Sequence, residues 1–293
     1  MKDFTLDNLT EEVVRAYTAD NPDPRLRTIL AALVRHLHAF AREVELSEDE
    51  WLAGIRFLTA TGQQCDDRRQ EFMLLSDTLG LSMLVDAINH PKGGRGTEST
   101  VLGPFYVPDA PARDYGADLR ERLLEDAMPC LVRGRVTDAA GAPLAAAHVD
   151  VWQTAANGLY DVQDAAAPAW NLRGRFTTGA DGAYAFVTEE PVSYPVPTDG
   201  PVGRLLDAAG RHAYRPAHIH FIVSAPGHET LVTHVFVDGD PYLDSDAVFA
   251  TKASLVGHFE RCDDVSLGAE FGITAPFTTL TFDFGLMPAG RKS

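Results

Sequence analysis

The apolar side chains of this chain keep two different periods, and a Gly- and Pro-rich segment separates them. In residues 25–45 they fall at Leu26, Ile29, Leu30, Leu33, Leu37 and Phe40, a spacing that only the turn of an α-helix gathers onto one face. Ser47 and Glu50 have the spacing of a capping box ahead of the run from Trp51 through Ile55 to Leu58, since hydroxyl and carboxylate can each satisfy a free amide donor. A further helical stretch is predicted over 67–89. Residues 90–112, HPKGGRGTESTVLGPFYVPDAPA, then concentrate helix-breaking Gly and Pro and read as linker or loop.

Beyond the linker, strand signals recur: CLVRGRV at 130–136, HVDVWQT at 148–154, RGRFTT at 173–178 and AYAFVT at 183–188. HIHFIVSA at 218–225, LVTHVFV at 231–237 and FTTLTFDF at 277–284 follow, with turn residues such as Asp138 to Pro143 and Asp181–Gly182 between several of them. The expected class is α+β: an antiparallel β-sandwich behind an N-terminal helical domain. Residues 1–105 would hold the helices and linker, and residues 106–293 the sandwich. Within the sandwich, 244–261 is predicted to form a helix carrying Val248, Phe249, Ala253, Leu255 and Val256. No fixed-period repeat is visible, which argues against solenoids and propellers.

At 293 residues the chain is long enough for about two domains. Its 25 Lys+Arg against 42 Asp+Glu give a net charge of −17, the wrong sign for gripping phosphate backbones, so nucleic acid is not an expected partner. No stretch approaches the roughly 20 apolar residues of a membrane span, and no basic start precedes an apolar run. The expectation is a soluble, cytoplasmic protein. Cys65, Cys130 and Cys262 are far apart and lack zinc-knuckle spacing, so they read as reduced, structural thiols.

His218 and His220 lie two apart on a predicted strand, which points both imidazoles to one face where they can converge on an ion. A polar strand face with bonded histidines has the same pattern. Arg215 puts a permanent cation three residues before the first imidazole. With no Asp or Glu flanking this strand, tyrosine is the remaining hard oxygen ligand. Tyr160 follows an Asn-Gly turn and Tyr194 is held between prolines; either alone also suits a bonded turn tyrosine.

The strings NGLYDVQD, SYPVP and RPAHIHF, with Tyr160, Tyr194 and His218 at successive separations of 34 and 24 residues, closely resemble the intradiol ring-cleavage dioxygenases. TESTVLGPFYVPDAP is similar to that family's substrate-pocket loop, and LRGRFTT and DGAYAFVT to its core strands. The resemblance implies one non-haem iron(III), Fe(3+), per subunit, with Tyr160 and His218 equatorial and Tyr194 and His220 axial. Two hard phenolates favour the ferric state, and two neutral imidazoles leave one residual positive charge. An aromatic diol would displace Tyr194, which would then act as base. Dioxygen would open the ring between the two hydroxylated carbons, and Arg215 would stabilise charge developing on the ring.

Within the family, SYPVP, LRGRF and PYLDSDAVF look most like the hydroxyquinol branch, whose substrate is benzene-1,2,4-triol and whose product is maleylacetate. Catechol and chlorocatechol are the alternative substrates. By the resemblance Leu74 and Asp77, one helical turn apart, face the substrate, and Asp77 would accept from a third ring hydroxyl. Val101, Gly103, Pro104, Phe105, Val196 and Pro197 would wall the pocket. In the catechol branch a glutamine stands where this chain has His234. The family also pairs its helical domains into a homodimer that can trap a phospholipid. The alternative from another class is a ligand- or metal-binding sandwich of the transthyretin type, which would not need both tyrosines, the HxH pair and Arg215 to converge.

Overall fold

The computed structural model describes residues 3–67, 69–90 and 96–290. Residues 91–95 of the expected linker lie outside them. By compactness the chain divides into Met1–Ala60 and Thr61–Ser293, earlier than the boundary placed at 105/106 from the sequence. No described helix is long and apolar enough to cross a membrane.

The first unit holds α1 (Leu9–Thr18), α2 (Pro24–Glu43) and most of α3 (Glu48–Gln63). Asp23 caps α2 by accepting from the amides of Arg25 and Leu26, and Pro24 supplies the fixed φ of a first helical position. Ser47 and Glu50 exchange the reciprocal bonds of a capping box at the start of α3. Bonds from Thr10 to His38 and from Arg35 to Glu11 tie α1 to α2. The predicted apolar stripe of α2 exists, yet α2 has no buried residue.

The second unit opens with α4 (Glu71–Thr78) and α5 (Leu81–Asn89). The single stretch expected over 67–89 is broken by Gly80, whose φ of 72° is the left-handed conformation that ends helices. The strands follow: β1 (Pro129–Asp138), β2 (His148–Trp152), β3 (Arg173–Thr177), β4 (Ala183–Glu189), β5 (Tyr194–Pro195), then α6 (Pro201–Ala208). After these come β6 (Tyr214–Arg215), β7 (His218–Ser224), β8 (Leu231–Val237), β9 (Val256–Gly257), β10 (Phe259–Cys262), α7 (Val265–Glu270), β11 (Phe277–Thr281) and β12 (Phe284–Leu286).

One five-stranded sheet runs β3-β2-β7-β8-β9; in the other, β1 pairs with β4, β11 and β12, and β10 joins β11. The expected purely antiparallel arrangement is corrected here, because β11 and β12 run parallel to β1, and β9 runs parallel to β8. Parallel neighbours need long connections, and the chain between β4 and β11 supplies one. Both sheets contribute to one core, with Val132 and Phe186 from the second and Val149, Ile219, Phe221 and Val223 from the first. β1 is buried on both faces over residues 130–132: Cys130 and Val132 enter that core, while Leu131 enters another with Val187 and Phe277.

The helix predicted over 244–261 is also corrected. Residues 253–255 form one 3-10 turn, and β9 and β10 follow. The Asp246 carboxylate accepts from the amides of Val248 and Ala250, a local bond that competes with the helical ladder. Val248, Ala250 and Leu255 still reach a core, packing with Leu74, Val101 and Val196, while Phe249 turns outward at φ 60°.

Candidate metal centre and active-site cleft

Alternation along β7 separates core from chemistry. Ile219, Phe221 and Val223 enter the shared core, so His218 and His220 must point to the other face. In register across that face, His220 pairs with Trp152 on β2 and His234 on β8, and His218 with Phe236. Trp152 stacks on His220 with centroids 4.7 Å apart. Gly103 adds the last wall: at φ 76° it comes so near that a Cβ would meet His220 Cε1 at 3.2 Å.

Tyr160 arrives from the loop after β2 and Tyr194 from β5. Tyr160 Oη lies 2.8 Å from Tyr194 Oη and 2.8 Å from His220 Nε2. Tyr194 Oη lies 3.3 Å from His218 Nε2, and the two imidazole Nε2 atoms are 3.2 Å apart. His218 Nδ1 is 2.6 Å from the Pro216 carbonyl, which only accepts, so Nδ1 carries the proton and Nε2 presents its lone pair. All four side chains are at most 4% exposed.

Burial, then the Arg215 charge, pushes the His218 imidazole far below its ordinary value. His220 is pushed the same way by burial, His218 and Arg215. Both imidazoles are therefore held neutral. Burial raises both tyrosine hydroxyls, Tyr160 strongly, with Arg215 pulling each back. Phenols so placed ionise only when a cation compensates the buried charge. The spacing fits one: donor bonds of about 2.0–2.1 Å to a first-row metal give donor–donor edges of about 2.8–3.4 Å at angles between right and tetrahedral.

Arg215 donates from Nη1 to His218 Nε2 at 3.1 Å and from Nε to Asp246 Oδ1 at 3.2 Å. Burial opposes its charge, but Asp246 and the two tyrosines outweigh burial and hold the guanidinium above its ordinary value. His234 is fully buried, its ring 4.1 Å from that of His220. Thr100 Oγ1 bonds its Nδ1, and its Nε2 has no hydrogen-bond partner among the described residues. The three imidazoles offer ligand atoms within 4.8 Å of one another.

A cleft of about 770 Å³ has Leu74, Pro104, Phe105, Tyr194, Val196 and Pro197 among its walls. Asp77, Val101 and Gly103 do not reach those walls. Val101 packs with Leu74 and Val196. Asp77 is 3% exposed, and burial raises its carboxyl while a bond with Ser82 and the field of Arg215 lower it.

Sequence reasoning missed Trp152, Thr100 and Asp246. Their strings, HVDVWQT, TEST and PYLDSDAVF, carry only the signals of a strand, a loop and the start of a helix, and it takes cross-strand register and an acid opposite Arg215 to mark them.

Residues 101–288 match a family model described as "Dioxygenase", and residues 23–97 match "Catechol dioxygenase N terminus". The chain is 52% identical to the 6-chlorohydroxyquinol 1,2-dioxygenase of Cupriavidus pinatubonensis, over 92% of this chain and 97% of that protein. It is 49% identical to the hydroxyquinol 1,2-dioxygenase of Rhizobium sp., over 97% of this chain and 96% of its relative. Superposed on the crystal structure of hydroxyquinol 1,2-dioxygenase from Pseudomonas putida DLL-E4 it gives a TM-score of 0.89 at 50% identity, covering 97% of this chain and 98% of the other. Likeness of that depth along nearly the whole chain, joined to the converging tyrosines and imidazoles, means that the chain belongs to the intradiol ring-cleavage dioxygenase family and is an enzyme of that class.

Proposed function

We propose that the enzyme opens benzene-1,2,4-triol between its two adjacent hydroxylated carbons, using dioxygen and one non-haem iron(III) held by Tyr160, Tyr194, His218 and His220, to give maleylacetate in its enol form. The observation that carries this reading is the ring of four buried donor atoms with edges of 2.8–3.3 Å, adjoining Arg215. The family generally depends on non-haem iron. Iron(III) bound there supplies a Lewis acid that draws charge from the chelated diol and makes the ring carbon reactive toward dioxygen.

The chain's own groups do the rest. Tyr194 is the proton acceptor: burial raises its hydroxyl, so its phenolate is a strong base toward a substrate hydroxyl. Its prolines on both sides hold its aim. Arg215 keeps its charge and faces the developing negative charge of the ring. Leu74, Pro104, Phe105, Val196 and Pro197 give a flat ring apolar faces and exclude water. Asp77 stands one helical turn from the cleft residue Leu74 without itself lining the cleft, and its carboxylate, already bonded with Ser82, would accept from the third hydroxyl at a remaining acceptor site that catechol would leave unused.

The assembly reading is a homodimer paired through the N-terminal helices, with a phospholipid between them. Its support is the uncovered stripe of α2. The functional division falls near 105/106, supported by family matches that end at 97 and resume at 101, and the two sheets over one core form a sandwich. Free thiols at Cys65, Cys130 and Cys262 suit a reducing cytoplasm.

The test is oxygen uptake with benzene-1,2,4-triol against catechol, alongside iron content and the visible absorption of an iron–phenolate bond. Colourless, iron-loaded protein would defeat the ligand assignment, and a preference for catechol would defeat the substrate.

A further inference from the structure

Arg173 opens β3 and is 1% exposed, although the string LRGRF reads simply as a core strand. An apolar core has no use for a guanidinium, and a buried cation without partners is costly. Its Nε donates to Asp161 Oδ1 at 2.6 Å and its Nη1 to the Phe105 carbonyl at 2.8 Å. The remaining fork nitrogen, Nη2, is buried with no hydrogen-bond partner among the described residues. The guanidinium carbon lies 5.8 Å from the Tyr160 ring centroid, and the Phe105 ring stacks on Tyr160 at 4.6 Å.

Those contacts join two parts of the site. Asp161 is the residue after Tyr160, and its other carboxylate oxygen accepts from the Trp170 amide. Phe105 is a wall of the cleft. Cross-strand register extends the row: Arg173 opposes Trp152, Trp152 opposes His220, and His220 opposes His234, so all four side chains share one face. The backbone is bent to place the arginine there. Trp170 and Leu172 hold φ of 68° and 58°, a left-handed conformation that bulky residues rarely adopt unless the surroundings impose it. The Leu172 amide bonds to the Leu119 carbonyl and the Arg173 amide to the Trp170 carbonyl.

We infer that Arg173 is a positioning residue that fixes Tyr160 and the Phe105 wall of the cleft together, through one planar fork shared between Asp161 and the Phe105 carbonyl. The inference rests on the reading of Tyr160 as an iron ligand. The fork makes both bonds at fixed angles, which a lysine ammonium cannot reproduce. The charge over the Tyr160 ring face also favours an electron-rich ring at that place.

The experiment compares iron-loaded wild type with R173Q, R173K, D161N and Y160F, reading iron retained against a chelator, the visible band, KM and kcat for benzene-1,2,4-triol, and thermal melting. For R173Q, iron retention should fall roughly 10- to 100-fold, as for other groups that orient a metal ligand. Its band should move to longer wavelength, because the phenolate loses its neighbouring cation, and KM should rise as the Phe105 wall loosens. R173K should restore the band but not KM, a split that a merely structural role would not give. A folded R173Q with wild-type retention, band and KM overturns the inference. If R173Q does not fold, an unchanged band and KM in both R173K and D161N overturn it instead. Y160F separates the two claims: a wild-type spectrum there defeats the ligand reading and this inference with it, whereas a changed Y160F beside an unchanged R173Q defeats the positioning role alone.

Discussion

In the proposed reaction Tyr194 does two things that conflict in water, binding a metal as an anion and taking a proton as a base, and burial reconciles them. A hydroxyl raised by burial and moderated by Arg215 ionises only where a cation compensates its charge, and once displaced from that cation its phenolate readily takes a proton from a substrate hydroxyl. Tyr194→Phe should therefore alter the visible band and cut turnover strongly; an unchanged spectrum in both Tyr160→Phe and Tyr194→Phe would remove both from the iron. In the proposed reaction, substrate choice turns on Asp77. If the third hydroxyl pairs with its buried carboxylate, the preference for triol over catechol is worth about 1–3 kcal/mol, roughly a factor of 5 to 150. That preference should fall from wild type to Asp77→Asn to Asp77→Ala, measured as kcat/KM on both substrates with iron content checked. It should also weaken as pH falls toward the raised value of this carboxyl, since the protonated form is the poorer acceptor. At this scale the candidate ligands were legible because HxH spacing and turn-bound tyrosines carry chemistry in their local strings. Trp152 and Arg173 were not, since their strings are those of any strand and only register makes them neighbours of His220 and Tyr160.

At the scale of elements, legibility followed the range of the interactions. The period of α2, the capping box of α3 and the alternation in β7 are set within a few residues, and they are present. The segment 244–261 has helical apolar spacing, yet Asp246 spends both carboxylate oxygens on the amides of Val248 and Ala250 and on Arg215, a residue 31 positions away. Periodicity could not anticipate a partner that distant, nor that β11 and β12 would lie parallel to β1. The Arg215–Asp246 pair then makes a prediction: removing one side of a buried ion pair leaves the other uncompensated, a loss of about 3–5 kcal/mol. Asp246→Ala should lower the free energy of unfolding in a denaturant titration by about that amount and reduce turnover, because it releases both the turn and Arg215. Asp246→Asn, which keeps an acceptor for the turn, should lie between. Equal stability of Ala and wild type would mean that the pair is not what holds the segment.

For the whole molecule, the metal and the helical stripe bear on stability in different ways. Iron that binds the folded chain alone stabilises it by mass action, so chelation should lower the melting temperature and reloading should restore it. The stripe concerns assembly. Leu26, Ile29, Leu33, Leu37 and Phe40 are 40–57% exposed along one face of the 20-residue helix α2, a length of about 30 Å. A monomer rarely leaves so continuous an apolar surface to water, and a two-fold pairing would set the same stripe against itself. Lipid chains would fill whatever gap the two stripes leave, which extraction and mass spectrometry can detect. Leu33→Asp with Leu37→Asp should convert a dimer at micromolar concentration to a monomer in sedimentation. The four donor residues all belong to the second unit, so oxygen uptake per iron should survive the change. A monomeric wild type would contradict the pairing, and a double variant that stays dimeric would move the interface off α2.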